Sequence, residues 1–457
     1  MGNEESVSSG SREQTIPGWG SVEFGRRLGL KALGATALVG GVAALAEASS
    51  AAAATKSGTI KIGYVSPLTG ADAGFGEPDP YVISLANKAF AHGLKIAGKT
   101  YKVQIISKDA QSTPSVAAQV AQTLISGDQV DLLLSTSTPE VVLPVIGAAE
   151  AAGVPSISTT VPWESWWLGS GNSFTSPKPY QWVFHFCFGV ANFFDTYTDL
   201  WKQVPTNKTV AMMAPNDADG NAIRANLFPL LEKAGYTIVD PGAYEDGTTD
   251  FTSQITLFKQ KNCQIFNTFP IPPDFTTFWR QAAQQGFTSM VKIAQIAKTG
   301  LFLSQVEAVG VKLGTNLATG VYWGPTWPGG SSLTGISNKE LGAGYEKHTG
   351  RYWNQQTGAS MALFDVAAAA LKASGNPNDK SAVASALKSL KVRTTVGELH
   401  WGTGGKSNPF PNIVVTPIPG GQWVATKKGS KFPLEFVFCE HEDYPQVPIQ
   451  AKLKPYS

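Results

Sequence analysis

From residue 59 onward the chain alternates short β-rich runs with helical stretches, and the pattern runs through twice. Residues 59–65 read as a strand that ends in a loop punctuated by glycine and proline over 66–80, with a helix following to about His92. Residues 102–108 form the next strand. Thr113-Pro114 then opens a helix, because threonine caps and proline is tolerated at the first helical position. Residues 130–134 read as a buried strand, 139–152 as a helix and 154–158 as a further strand. The series restarts with strands over 183–188, 209–213, 236–239, 263–268 and 291–296, and helices beginning near Asn192, Asp219, Asp250 and Pro273. Such alternation predicts parallel sheets with helices on both faces, here two doubly wound, Rossmann-like α/β lobes. A chain of 457 residues, too long for one ordinary core, agrees with that. An alanine-rich helix over 360–373, with Leu363, Phe364, Val366 and Leu371 on its apolar face, and a helix over 379–390 pack onto one lobe. The proline-rich ending from Pro409 reads as a strap over the surface.

Residues 1–58 stand apart from this pattern. A polar segment ends in Gly25-Arg26-Arg27-Leu28-Gly29-Leu30-Lys31, a weakly apolar stretch runs over 32–46, and Ala51-Ala52-Ala53-Ala54 suits a signal-peptidase pocket. Paired arginines before a glycine-broken apolar run resemble a twin-arginine leader. The run is short against the roughly 20 residues that span a bilayer. No cysteine closes it, so a lipid anchor is not expected. The segment predicts a cleaved signal peptide and a soluble exported protein, best retained in a periplasm.

Composition excludes more than it assigns. A net charge of +2 provides no basic field for nucleic acid, and no partner of that kind is expected. The three cysteines, Cys187, Cys263 and Cys439, lack C-x-x-C spacing, and their odd number leaves at least one thiol free. Neither a G-x-S-x-G elbow nor an H-E-x-x-H motif occurs. Gly402-Thr403-Gly404-Gly405-Lys406-Ser407 has His400 where a phosphate loop needs its first glycine, so it reads as a turn. Asn216-Asp217-Ala218-Asp219-Gly220 reads as a capped helix start rather than a calcium loop, since Pro215 stands at the first ligand position. Glu440-His441-Glu442-Asp443 reads as a solvated charged tail. No enzyme chemistry, cofactor or metal is expected.

Ile62-Gly63-Tyr64-Val65-Ser66-Pro67-Leu68-Thr69-Gly70 resembles the first strand and loop of the leucine/isoleucine/valine-binding protein family. Ser135-Thr136-Ser137-Thr138, Ala152-Gly153-Val154-Pro155, Asp250-Phe251 and Gln281-Ala282-Ala283-Gln284-Gln285-Gly286-Phe287 follow in family order, so the resemblance spans about residues 59–425. It implies type I solute-binding proteins of ABC transporters: two lobes joined by three crossover strands, a solute trapped between them, and delivery to a membrane permease by a monomer. On that frame residues 59–184 and 297–405 form the first lobe, 185–296 and 406–445 the second, and 446–457 a tail. Reuse of the fold in a ligand-sensing module is the alternative, and an exported enzyme a more distant one.

Carried over residue by residue, the resemblance places ligand contacts at Ser135, Thr136, Ser137 and Thr138 after the third strand, and at Thr159, Thr160 and Trp163 after the fourth. Phe75, Phe188 and Phe269 become pocket walls, and Lys298 stands at the mouth of a second-lobe strand. Relatives selecting amino acids place an acid after the first crossover strand to grip the ammonium. Here that stretch reads Phe186-Cys187-Phe188-Gly189-Val190-Ala191-Asn192, with no acid before Asp195. An ammonium left unpaired on burial is costly. The expected ligand is therefore an aromatic or apolar carboxylic acid or amide, rather than a branched-chain amino acid.

Overall fold

The computed structural model describes residues 58–298, 302–441 and 444–457. The expected leader lies outside the described residues, apart from Gly58. In chain order, β1 (Thr59–Ser66), β2 (Leu94–Ile96), β3 (Lys99–Asp109), β4 (Leu132–Thr136), β5 (Ser156–Thr159) and β6 (Val183–Phe186) build a first sheet. β7 (Thr209–Met213), β8 (Thr237–Val239), β9 (Ile265–Thr268), β10 (Ile293–Ile296) and β11 (Leu317–Gly320) build a second. β12 (Lys391–Thr394) and β13 (Gly397–His400) pair as a separate ribbon. β14 (Ile413–Val414) returns to the first sheet, and β15 (Gly420–Ala425) and β16 (Leu434–Phe438) close the second. The first sheet has the order β14-β6-β5-β4-β1-β3-β2, the second β16-β15-β11-β10-β9-β7-β8. Pairing is parallel except at β2, β15 and β16. The fold is two doubly wound α/β lobes with three crossings between them.

Continuous apolar runs make these strands. Leu132-Leu133-Leu134 is wholly buried, as a parallel strand covered on both faces must be. Alternate residues serve opposite faces. Ile60, Ile62 and Tyr64 join one core, in which Tyr64 stacks on Phe364 at 5.5 Å. Val65 and Leu133 join another, with Val141, Val142 and Val145. Helices used below are α1 (Asp79–Ala89), α2 (Pro139–Ala152), α3 (Trp163–Gly169), α4 (Val190–Lys202), α5 (Ala218–Lys233) and α6 (Gln356–Ala373). α2 starts with proline at its first position and stops at Gly153, whose φ of 65° takes the left-handed turn that ends many helices. α6 is buried along nearly its whole length, which suits its alanine-rich, all-round apolar sequence.

The three crossings lie side by side. The Cys187 amide donates to Val414 O at 3.0 Å, the Thr416 amide to Cys187 O at 3.2 Å and the Val321 amide to Pro419 O at 2.9 Å. Two segments sit differently from the lobe limits read from sequence. β11 pairs with β10 in the second sheet, so the chain returns to the first lobe after Gly320 rather than at 297. Leu317-Ala318-Thr319-Gly320 has little strand propensity of its own and forms because β10 and β15 each offer it a ladder. The ending is more than a strap. Its β14 pairs with β6 in the first sheet, β15 and β16 extend the second, and Tyr456 packs on Trp279 at 5.3 Å.

Gly358 lets α6 approach the second crossing: a Cβ there would lie 2.0 Å from Trp323 Cγ. Exposed Gly147, in α2, has nothing within 4 Å of that position. Gly358→Ala should therefore destabilise the protein by about 1–3 kcal/mol, through overpacking. Gly147→Ala should stabilise it by up to about 1 kcal/mol, through helix propensity. Denaturant unfolding of the two variants should shift in opposite directions.

Candidate functional site

Doubly wound sheets bind ligands beyond the carboxyl ends of their strands, where the strand order reverses. In the first sheet the reversal falls between β1 and β4, in the second between β7 and β9. One slot is lined from both: Phe75 after β1, Ser137 and Thr138 after β4, Thr160 after β5, Asp219 after β7, Phe269 after β9 and Lys298 after β10. The crossings contribute Phe188, Val190, Tyr322 and Ile418. Space large enough for water totals about 40 Å³, well below the ~300 Å³ of ordinary small-molecule pockets. A solute of ordinary size does not fit the slot at this width.

The walls are aromatic and interlocked. Phe188 stacks on Tyr322 at 5.6 Å and meets Phe193 edge-on at 4.9 Å, while Phe193 meets Phe269 edge-on at 5.4 Å. Phe75 meets Phe302 edge-on at 5.6 Å. Four residues expected at the site face elsewhere. Ser135 stays inside β4, and Thr136 lies beneath the slot against Thr160. The Thr159 hydroxyl donates to Phe186 O at 2.7 Å. Trp163 packs edge-on against Phe174 at 5.8 Å, in the first lobe's own core. Period-2 alternation explains the strand residues: neighbours along a strand point to opposite faces, so one loop motif cannot place them all in the slot.

The hydroxyls differ in what they have left to offer. Thr160 Oγ1 contacts Thr136 Oγ1 at 2.9 Å, accepts from the Ser137 amide at 2.8 Å, and donates to the Thr159 or Ser137 carbonyl at 2.8 or 3.0 Å. Thr138 donates to Asp72 at 3.1 Å. Ser137 Oγ is buried with no hydrogen-bond partner. The slot also gathers three non-glycine residues in left-handed backbone, Ser137 at φ 123°, Thr160 at 71° and Lys298 at 52°. Such strain, costing about 1–3 kcal/mol each, collects at functional sites.

The charges overturn one expectation: the cleft does contain an acid. Lys298 Nζ lies 2.9 Å from Asp219 Oδ2 and 3.4 Å from Asp217 Oδ2. Asp217 also caps α5 by accepting from the Gly220 amide. Asp219 lines the slot, and its Oδ1 is buried without a partner. Burial pushes the Asp219 carboxyl up to about 6, although Lys298 pulls it down. Burial alone would lower Lys298, but Asp217, Asp219 and Glu140 outweigh it and hold the ammonium well above its ordinary range. A second acid, Glu164 on α3, accepts from the Val190 amide at 3.0 and 3.1 Å, beside the first crossing. Gly189 allows that approach, since a Cβ there would lie 2.5 Å from Glu164 Oε1. Neither acid follows the first crossover strand in sequence; both arrive from other elements. The capped Asp217-Ala218-Asp219 helix start was the signal for one of them.

The remaining reactive groups are engaged structurally. His185 is buried, stacks on Trp166 at 5.0 Å, and contacts Ser158 Oγ at 2.9 Å and Val161 O at 2.8 Å. Burial pushes it down to about 3, so it stays neutral. Cys187, Cys263 and Cys439 are free and buried. Among the described residues no group of His, Cys, Asp and Glu is arranged to hold a metal ion, and no helix is long and apolar enough to cross a membrane.

Glu164 generates a pH prediction. Burial raises its carboxyl from an ordinary 4.5 to about 8. Between those values the folded chain keeps a proton that the unfolded chain releases. Stability from this group therefore falls as pH rises from about 4.5 to about 8 and is level above. Glu164→Gln should gain stability relative to the parent across that window, on the order of a few kcal/mol. Thermal unfolding of both proteins from pH 5 to 8 measures it; a constant gap would refute the assignment.

A family model for periplasmic binding proteins matches residues 59–415. An amino acid binding protein from Pseudomonas aeruginosa is 24% identical over 352 residues, covering 76% of this chain and 87% of that protein. An ABC transporter solute-binding protein from Rhodopseudomonas palustris, solved with 3,4-dihydroxybenzoic acid, superposes with a TM-score of 0.67 at 20% identity, covering 85% of this chain and 98% of that one. A branched-chain amino acid transporter substrate-binding protein from Streptococcus pneumoniae, solved with isoleucine, gives 0.62 at 18%, covering 83% and 99%. With the family model spanning both lobes and all the strands up to β14, the chain belongs to the periplasmic binding protein family.

Proposed function

We propose that this protein is the extracytoplasmic substrate-binding component of an ABC importer, which closes two lobes over a small solute and presents it to a membrane permease. The observation that carries this is the slot itself, lined by the reversal-point loops of both sheets and by the crossings that join them. Closure about those crossings buries the solute, and the closed form is what a permease distinguishes from the open one. Binding rather than catalysis suits a site whose lysine is paired with two aspartates. Export through the expected leader, by the twin-arginine route to a periplasm, belongs to the same proposal.

The ligand we favour is a small aromatic carboxylic acid. Phe75, Phe188, Phe269 and Tyr322 offer ring faces and edges. The free Ser137 hydroxyl stands beside the first turn of α2, where helix N-termini favour anions. Asp219 Oδ1 accepts a donor from the ligand's other end, so a ring hydroxyl improves the fit. The same oxygen favours a second reading, an amino acid whose ammonium pairs with Asp219. The dihydroxybenzoate-bound and isoleucine-bound neighbours illustrate both chemistries on this fold.

Calorimetry with 4-hydroxybenzoate, benzoate, phenylalanine and leucine separates them. We expect micromolar binding of 4-hydroxybenzoate, at least tenfold weaker binding of benzoate, and loss of that preference in Asp219→Asn. Micromolar binding of leucine with no response to the aromatic acids would overturn the aromatic reading.

A further inference from the structure

The start of α6 carries three consecutive polar residues, Asn354 and Gln355 just before the helix and Gln356 at its first position, that are almost wholly buried yet do not line the slot. Buried amides persist when their hydrogen bonds are made, so each of their partners is informative. Asn354 Nδ2 donates to Gly74 O at 3.0 Å, next to the pocket wall Phe75. Gln355 Oε1 accepts from the Tyr322 amide at 3.1 Å, and Gln356 Oε1 from the Tyr322 hydroxyl at 2.9 Å. Gln356 Nε2 donates to Thr136 Oγ1 at 2.7 Å and to Ser360 Oγ at 3.2 Å. Ser360 in turn donates to the buried Asp79 of α1 at 2.6 Å.

We propose that Gln356 is a positioning residue for the ligand site, fixing which hydroxyls of the slot remain free to meet a solute. The argument is one of donor direction. Thr160 has a main-chain carbonyl at 2.8 or 3.0 Å for its own proton, so Thr136, which accepts from Gln356, gives its proton to Thr160, 2.9 Å away. Thr160 then accepts from both Thr136 and the Ser137 amide and gives its single proton to a neighbouring main-chain carbonyl. Its capacity is filled, although it stands in the slot. Tyr322 likewise surrenders its proton to Gln356 and offers the solute a ring face. Ser137 is left with the unpartnered hydroxyl. Both amide protons and the amide oxygen of Gln356 are used in one sense, and the carboxylate of Asp79 anchors it. A residue outside the slot thereby joins the strand ends of the first lobe to the second crossing.

This rests on reading the slot as the ligand site, and the test keeps the two apart. Gln356→Met preserves length and removes every side-chain hydrogen bond of that residue. In amide hydrogen exchange on the whole chain without ligand, we expect the Ser137 amide and its neighbours over 136–138 and 159–161 to exchange at least tenfold faster. The strand interiors of both sheets should exchange unchanged. Thr136→Val cuts the relay from its other end and should reproduce the Ser137 effect without altering exchange at Tyr322; it also serves should Gln356→Met fail to fold. In calorimetry with 4-hydroxybenzoate, Gln356→Met should bind at least tenfold more weakly than the parent. Unaltered exchange at Ser137 in both variants would overturn the proposal, as would a uniform increase over the whole chain. If the parent binds none of the four probe solutes, the aromatic reading falls and the exchange result still decides the role of Gln356.

Discussion

The rest of the structure depends on main-chain hydrogen bonding among the three crossings. Cys187 is bound on one side by Val414 and Thr416, and Val321 is bound to Pro419. These bonds satisfy backbone groups that burial between two lobes would otherwise strand, a cost comparable to a lost hydrogen bond each. They also place the crossings and the site on neighbouring residues. Phe188 and Tyr322 directly follow bonded residues, Val190 and Ile418 stand close to them in sequence, and all four line the slot. On the proposed function, a rotation about this strip would change the slot's width without unpacking either sheet, as hinge closure does.

The two sides of the slot have been made affordable to bury in different ways. On the first lobe, hydroxyls are turned inward on one another and on amides, so that strained loops at Ser137 and Thr160 are held from several directions. On the second, charge answers charge: Lys298 with Asp217 and Asp219. A buried ion pair seldom adds net stability, because desolvation offsets attraction. Its value here is directional, leaving one carboxylate oxygen of Asp219, a residue that lines the slot, without a partner. Apolar walls between the two supply area without direction.

Much of the architecture was legible because it repeats a simple period. Apolar runs such as Leu132-Leu133-Leu134, and stops such as Gly153 at the end of α2, are local properties that the folded chain obeys. The slot residues legible in sequence, among them Phe75, Ser137 and Phe269, sit in the segments that follow apolar strands. What escaped was supplied from afar. β11 is weakly β-forming and β14 only two residues long, and both exist because neighbouring strands offer ladders. Trp163 left the slot because Phe174 and Phe410 compete for its ring.

The acid in the cleft shows the division most clearly. The sequence by itself determined the two α/β sets, their strand ends, and that no carboxylate follows the first crossover strand within Phe186–Asn192. Only the tertiary structure decided that Asp219 from α5 and Glu164 from α3 would converge near that place, and that Gln356, far along the chain, would govern the hydroxyls of Thr136 and Thr160. The physical reason is that strand and helix periods are set by near neighbours. The partners of a buried polar group are set by whichever elements pack against it, and burial compels those partnerships whatever their separation in sequence.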